Sequence, residues 1–375
     1  MRIWLTQTGE PLPTDAGQAR RFRTGLLAGA LADRGHEVTW WASTFDHARK
    51  RSRCGESTVL QPRPGLTLEL LHGRGYRRSI SLARHLNHRS VAREFSLRAP
   101  RRTAPDIVFT SLPTLELSRA ASLYASSRGI PVVLDVRDLW PDIFLDLAPR
   151  PAQGLSRRLL APMFSSAEET CRLATALCAP SQGYLDWALA KAGRAQGSDD
   201  RVFPMAYPDT APDEKARAAA EAFWDRLGVG RRGERFQACF FGAMTRHFDL
   251  ETVIDAAAIL RDAAPGYRFI LCGSGGLLAR HKARAARLPN VVFPGWVGAA
   301  EIWTLMRRCD AGLAPYRSTR GFVGHLPNKP VEYLSAGLPL VSSLEGTLRR
   351  LIEERGCGLH YPAGDPSSLA GGLRA

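Results

Sequence analysis

The sequence predicts an α/β protein made of two Rossmann-like, doubly wound domains, and three observations carry that prediction. The chain has 375 residues, which suits two domains at roughly 100–200 residues each. Short β-branched and aromatic runs alternate with helical stretches along its length, the pattern of a parallel sheet covered by helices. A strand–loop–helix start recurs beyond a Gly-, Pro- and Asp-rich stretch at 193–215. That stretch places a linker near Pro208 and domains at 1–207 and 208–375.

The predicted strands of the first half are 2–6, 37–43, 67–71, 106–111, 131–136 and 175–180. Those of the second are 236–242, 267–272, 290–294, 311–315 and 338–343. The first helix is read as capped by Asp15 and closed by Gly35, with Phe22, Leu26, Leu27, Ala30 and Leu31 on one face at the 3.6 period. In the second half AMTRHFD leads from a strand into the periodic LETVIDAAAILRDA. Two such domains are expected to face a cleft, with ligands at the carboxyl ends of the strands.

Apolar residues make up 45% and charged residues 23%, which excludes a mainly disordered, collagen-like or coiled-coil chain. No run approaches the ~18 apolar residues of a spanning helix, and the start lacks the apolar core of a secretory signal, so a cytoplasmic location is expected. The seven cysteines are widely spaced without a CxxC, which reads as reduced thiols and no metal site. Cys178, Cys239 and Cys272 sit in apolar runs and read as small buried hydrophobes.

The net charge is +15, carried by 46 Arg and 5 Lys. Residues 72–102 hold nine Arg against one Glu, which is a patch. A solvated face, nucleic acid and an anionic membrane surface are its three readings. Aromatics for base stacking are scarce there, only Tyr76 and Phe95, so nucleic acid is set aside. An anionic membrane surface, with the protein peripheral at the inner face, or a polyprenyl diphosphate ligand is preferred.

The most informative segment is LPNKPVEYLSAGLPLVSS, 326–343. Pro330 suits the first turn of a helix, Gly337 its C-terminal cap, and LPLVSS the next strand. The positive end of that helix, with Lys329 beside it, would stabilise an anion. Glu332 can accept hydrogen bonds from a ribose diol. From spacing alone, an exposed ion pair explains Lys329 and Glu332 as well. In DVRDLWP, three charged residues, Asp135, Arg137 and Asp138, with Trp140, follow an apolar strand, where either a solvated loop or an acceptor site would lie. Asp138 is the favoured acceptor-hydroxyl contact. Gly273, in GSGG, reads as a tight turn, since the dinucleotide fingerprint lacks its third glycine.

GHEVTWWAS, FFG, ILCGSGG, NVVFPGWV, CDAGLAPY, NKPVEYLSAGLPLVSS and HYPAGDPSSLA follow one another in the order seen in glycosyltransferase family 4. The chain resembles that retaining family, which has the GT-B fold, over nearly its whole length. DVRDLWPDIF further resembles the bacterial branch that acts in O-antigen, capsule and related envelope glycan assembly.

The resemblance implies a nucleoside diphosphate sugar donor bound by the second domain, an acceptor, lipid-linked in this branch, on the first, and no metal or other cofactor. By the same resemblance Glu332 is the second Glu of the E-x7-E motif and holds the ribose. The first Glu falls at Gly324 and is absent, leaving His325 or backbone N–H groups near the donor sugar. The basic pair after the first strand of the second domain falls at Ala243 and Phe248. Arg246 is the nearest cation, shared with Lys329, to meet the diphosphate. Gly242 closes that strand, and Gly17 is the one glycine in the loop after the first strand of the chain. Trp296 lies by the nucleobase in the family, and reads equally as a core aromatic. The family continues with more helix beyond 375, so looser coupling of the domains is expected.

These readings point to transfer of a sugar to an acceptor hydroxyl, with Asp138, Arg246 and Lys329 as catalytic candidates. The rival readings are a sugar-nucleotide epimerase of the same fold, a nicotinamide enzyme, which lacks its fingerprint, and a non-catalytic nucleotide-sugar-binding module, to which the missing Glu lends weight.

Overall fold

The computed structural model describes residues 1–15, 21–78, 81–145, 149–207, 211–264, 266–324 and 326–375. The chain divides into two compact units, Met1–Pro204 and Met205–Ala375. Pro208, where the sequence places the linker, lies outside the described residues.

The N-terminal unit has strands β1 (Arg2–Thr6), β2 (Glu37–Ser43), β3 (Phe45–Asp46), β4 (Arg51–Ser52), β5 (Thr58–Arg63), β6 (Leu66–Leu71), β7 (Ile107–Leu112), β8 (Val132–Val136), β9 (Ala176–Ala179) and β10 (Arg201–Val202). Its helices are α1 (Arg23–Asp33), α2 (Leu82–Arg98), α3 (Leu115–Ser126), α4 (Asp142–Leu145), α5 (Gln153–Leu159), α6 (Ala161–Leu173) and α7 (Gln182–Ala192). The main sheet runs β10-β9-β8-β7-β1-β2-β6-β5, parallel except for the antiparallel edge pair β5–β6. Its central strands are buried on both faces, so they read as continuous apolar runs. β5 is the strand the sequence reading lacks. It is a half-exposed edge carrying Gln61, Pro62 and Arg63, residues that protect an edge and weaken the strand signal.

Two details of α1 correct the sequence reading. Its buried residues are Thr24, Gly25, Ala28 and Gly29, not the larger apolar side chains. A Cβ on Gly25 would come within 3.8 Å of the Trp40 ring, so small residues let the helix lie against β2. Asp15 is not its cap: that carboxylate binds the Arg53 guanidinium at 2.6 and 2.7 Å. Glu10 takes the capping place, its carboxylate accepting from the backbone N–H groups of Thr24 and Gly25 at 2.9 and 3.2 Å.

The C-terminal unit has β11 (Phe236–Phe241), β12 (Tyr267–Cys272), β13 (Val291–Gly295), β14 (Ala311–Ala314), β15 (Leu340–Ser342) and β16 (Gly358–His360). They form one parallel sheet in the order β13-β12-β11-β14-β15-β16. Its helices are α8 (Glu214–Arg226), α9 (Leu250–Ala263), α10 (Leu278–Arg284), α11 (Ala299–Arg308), α12 (Arg320–Val323), α13 (Asn328–Ser335), α14 (Thr347–Arg355) and α15 (Pro366–Arg374). α15 packs on α9 within this unit, and the Tyr267 hydroxyl donates to the Leu373 carbonyl at 2.9 Å. Cys239 and Cys272 are fully buried in adjacent strands, and burial pushes the Cys272 thiol well up.

Candidate functional site

In a doubly wound sheet a ligand sits where successive strands diverge from the first one. In the C-terminal unit that point lies at the carboxyl ends of β11 and β14. Residues 242–249 follow β11 and residues 315–329 follow β14, and backbone hydrogen bonds join the two. Asp249 N donates to the Pro315 carbonyl at 2.7 Å and Arg317 N to the His247 carbonyl at 2.9 Å. The Arg317 guanidinium closes the pair on the Asp249 carboxylate at 3.0 Å.

α13 arrives at this point because Tyr333 anchors it. The Tyr333 ring lies where a Cβ on Gly312 would be, 2.2 Å away, so β14 needs glycine there. The Tyr333 hydroxyl sits 3.1 Å from the Leu313 carbonyl. Among the described residues, no side chain caps the start of α13. Lys329, in its first turn, extends its ammonium into a ring of aromatics, 4.2 Å from the Phe248 centroid, 5.4 Å from Phe240 and 5.5 Å from Tyr316. α13 thus delivers an ammonium onto Phe248, the position that the resemblance matches to a lysine of the family.

The glycines explain how closely the backbone approaches. A Cβ on Gly242 would meet Cε and Nζ of Lys329 at 2.7 Å. One on Gly273 (φ +138°) would fall 1.8 Å from the Gly242 carbonyl oxygen. Gly242, Gly273 and Lys329, singled out separately in the sequence, therefore meet at one place. Glu332, one turn further along α13, is buried. Arg246 is exposed in the loop after β11, and Trp296 is 68% exposed beyond β13, which removes its core reading and leaves a free indole face. His325 and Gly17 lie outside the described residues. Gly324 ends α12 in open space, and a Cβ there would meet nothing within 4 Å.

In the N-terminal unit the strands diverge between β1 and β7. Threonine hydroxyls pair across that line, Thr6 with Thr110 at 2.6 Å and Thr8 with Thr114 at 2.7 Å. The DVRD residues separate here into two roles. Asp135 and Arg137 belong to a buried ion network rather than to a solvated loop or an open acceptor face. Arg137 pairs with Glu10 and with Asp135, and Arg23 reaches Asp135 at 2.9 Å. Arg23 also donates to the carbonyls of Phe203 and Pro204 at 2.7 and 3.2 Å. Burial works against ionising Asp135, but the two guanidiniums prevail and hold its carboxyl below its ordinary range. Asp138 stands apart from the network. Burial raises its carboxyl despite a 2.9 Å hydrogen bond from Leu139 N.

Sequence reasoning missed Glu10, Arg23 and the network itself. Their partners lie more than a hundred residues apart, and no local pattern signals such a contact.

α2 carries four of the nine arginines of the basic patch. The Ser81 hydroxyl caps it, accepting from Arg84 N at 3.2 Å, and Asn87, His88, Val91 and Phe95 face inward. Its outward face combines the exposed Arg89 and Arg93 with Leu82, Leu86 and Leu97. Leu155 and Leu159 of α5 are exposed beside Arg158. Tyr76 and Phe95 are both buried, so neither offers a face to a nucleobase. Among the described residues no helix is long and apolar enough to cross a membrane.

Two family models match this chain. One described as Glycosyltransferase Family 4 covers residues 23–204, and one described as Glycosyl transferases group 1 covers 235–375. A search of curated protein sequences found no match. Among solved structures, HepE (Alr3699) of Anabaena, determined in complex with UDP, is similar at 17% identity and a TM-score of 0.59, over 99% of this chain and 88% of that one. WaaG, a glycosyltransferase involved in lipopolysaccharide biosynthesis, is similar at 16% and 0.64, over 99% and 89%. Sucrose-phosphate synthase of Thermosynechococcus elongatus is similar at 16% and 0.67, over 100% and 88%. All three likenesses are of fold.

Proposed function

The chain belongs to glycosyltransferase family 4, and from that membership we propose that it transfers a sugar, with retention of configuration, from a nucleoside diphosphate sugar to an acceptor hydroxyl. The observation that carries the donor half is the meeting of Gly242, Gly273, Lys329 and the uncapped start of α13 at the carboxyl ends of β11 and β14. The close-packed glycines keep side chains away from this end of the sheet, and Lys329 adds a full charge. Departure of the diphosphate develops negative charge there, so this end of α13 stabilises the breaking bond more than the intact donor. Glu332 takes the ribose, Trp296 lies against the base, and Arg246 supplies a second cation from the opposite loop.

No carboxylate nucleophile is invoked, since the leaving phosphate itself takes the acceptor's proton on the same face. We assign no metal to the reaction, because neither Lys329 nor Arg246 is a metal ligand and both can meet the diphosphate directly. The acceptor reading rests on Asp138, whose raised carboxyl suits a hydroxyl contact. The outward arginines and leucines of α2 suit an anionic membrane face and a lipid-linked acceptor in envelope glycan assembly. Gly324 favours a second reading, a module that binds donor without turnover. That module would show no slow donor hydrolysis in the absence of acceptor, whereas the transferase would.

The test is a thermal-shift panel of nucleoside diphosphates and their sugars, with uridine diphosphate first because the Anabaena neighbour was solved with it. A ligand at about 100 times its Kd adds about 2.7 kcal/mol of apparent stability. Glu332→Ala and Lys329→Met are expected to reduce that gain, and an undiminished gain in both would sink the assignment.

A further inference from the structure

A second convergence lies in the N-terminal unit, at the carboxyl ends of β2, β6 and β8. His47 and Lys50 come from the turn between β3 and β4, Tyr76 from the segment after β6, Arg84 and His88 from α2, and Trp140 from the segment after β8. The Tyr76 hydroxyl lies 2.5 Å from Nδ1 of His47, and Nζ of Lys50 approaches the same nitrogen at 3.2 Å. Lys50 Nζ also stands 4.8 Å from the Tyr76 ring centroid. The Arg84 guanidinium lies 5.9 Å from that ring and 4.7 Å from the ring of Trp140, and its Nε is 3.4 Å from Nε2 of His88.

Four basic side chains thus gather around the Tyr76 ring, where Glu116 balances His88 and Asp46 and Asp138 each hold backbone N–H groups. Asp46 accepts from Ala48 N and Arg49 N at 2.9 and 3.0 Å and faces Arg49 and Arg53. Glu116 holds His85 at 2.9 Å and His88 at 3.5 Å. Asp138 accepts from Leu139 N. The excess charge registers on the groups themselves. Burial, then the charges of Lys50, Arg84 and His88, push His47 down to about 4 against the opposing pull of Asp46. Burial and Arg84 lower Lys50 as well. A phosphate entering here would gain charge-assisted hydrogen bonds from each donor and relieve their mutual repulsion.

We propose that His47, Lys50 and Arg84, grouped around the Tyr76 hydroxyl, form a subsite for a phosphate-bearing group of the acceptor. The assignment rests on the transferase reading for the word acceptor, while the phosphate chemistry stands on these side chains alone. Trp140 and Tyr76 form its apolar walls, with Asp138, two residues before Trp140 in the chain, as the hydroxyl contact. Such an acceptor carries its anion on a lipid or on a soluble sugar phosphate, and the chemistry recognised is the same.

The test titrates the full chain, with uridine diphosphate present to occupy any diphosphate site of the C-terminal unit. Inorganic phosphate is added while the His47 ring signals are followed by NMR, assigned through His47→Gln. Saturable displacement of those signals at millimolar phosphate, with the His47 midpoint rising from about 4, is the expected result. Arg84→Met and Lys50→Gly are each expected to weaken phosphate about tenfold. Lys50 holds a left-handed backbone, φ +54°, which glycine adopts freely, so that second variant folds where the first fails to.

Octyl phosphate binding about tenfold tighter than a hexose 6-phosphate assigns the lipid source, and the reverse order assigns the soluble one. Unmoved His47 signals, or displacement that Lys50→Gly leaves undiminished, overturn the subsite. Uridine diphosphate binding is read separately by thermal shift, and its failure would overturn the donor reading without touching the phosphate result.

Discussion

Two glycines a few ångströms apart have different consequences when changed. A Cβ on Gly242 meets the far end of the Lys329 side chain, which can swing away. Gly242→Ala is therefore expected to fold with little loss of melting temperature while displacing the ammonium from its aromatic ring, so nucleotide affinity falls. A Cβ on Gly273 meets a backbone carbonyl at 1.8 Å, and neither strand can yield without breaking the ladder. Gly273→Ala is expected to cost more than about 3 kcal/mol in denaturant unfolding. If both variants melt alike, the loop packing described is wrong. Gly324 gives the opposite case, since its backbone is right-handed and its surroundings are open. Gly324→Glu places a carboxylate, without strain, where the resemblance to the family expects one, and is expected to raise the rate of donor turnover. Unchanged turnover would mean that another group already serves that role.

At the scale of elements, legibility followed the physics of each signal. Parallel strands buried on both faces announce themselves as apolar runs, so β1, β2, β11 and β12 were readable at or near their ends. β5 hid because an edge strand has to be polar, and α1 misled because a helix lying tight on Trp40 buries glycine and alanine instead of leucine. The loops after β11, β12 and β14 were partly legible, since Gly242, Gly273 and Lys329 each sit in a local pattern. The ring of Phe248, Phe240 and Tyr316 around Lys329 was not, because only the sheet order brings it together.

The same holds for the cap of α1. Glu10 answers both the start of α1 and Arg137, so Glu10→Ala leaves Asp135 to balance Arg137 and Arg23 together and takes the acceptor from the buried Thr24 and Gly25 N–H groups. A loss of about 3 kcal/mol is expected, more than an ordinary cap removal. Denaturant unfolding of the variant measures it, and a loss under about 1 kcal/mol would show that the network contributes little.

Over the whole molecule, the titrations of His47 and Asp135 both contribute to the acid limb of stability, and their signs agree. His47 falls from an ordinary 6.5 to about 4 in the folded chain. Between those values the unfolded chain takes up a proton that the folded chain refuses, so stability is full above pH 6.5 and declines as pH falls toward 4. Asp135, held below its ordinary 3.8, adds stability that is full above that value and is lost as pH falls beneath it. A two-step decline is therefore expected in melting temperature against pH, and His47→Gln should remove the upper step alone. A variant that keeps the upper step would assign it to His281 and His360, which are also lowered, first by burial.

Charge at this scale also bears on where the protein works. The net charge is +15, and the outward face of α2 mixes arginine with exposed leucine. Electrostatic attraction of that kind is screened within a Debye length, about 10 Å at 0.1 M salt, whereas insertion of leucine is not. Cosedimentation with phosphatidylglycerol vesicles should weaken steeply with salt in the native chain and leave a salt-resistant remainder. Arg89→Glu with Arg93→Glu should remove the salt-dependent part, at ~1 kcal/mol per basic residue lost, and Leu82→Ser with Leu86→Ser the remainder. Equal binding to vesicles of neutral lipid, or no effect of either pair, would return the patch to an ordinary solvated surface and leave the source of the acceptor to the phosphate titration.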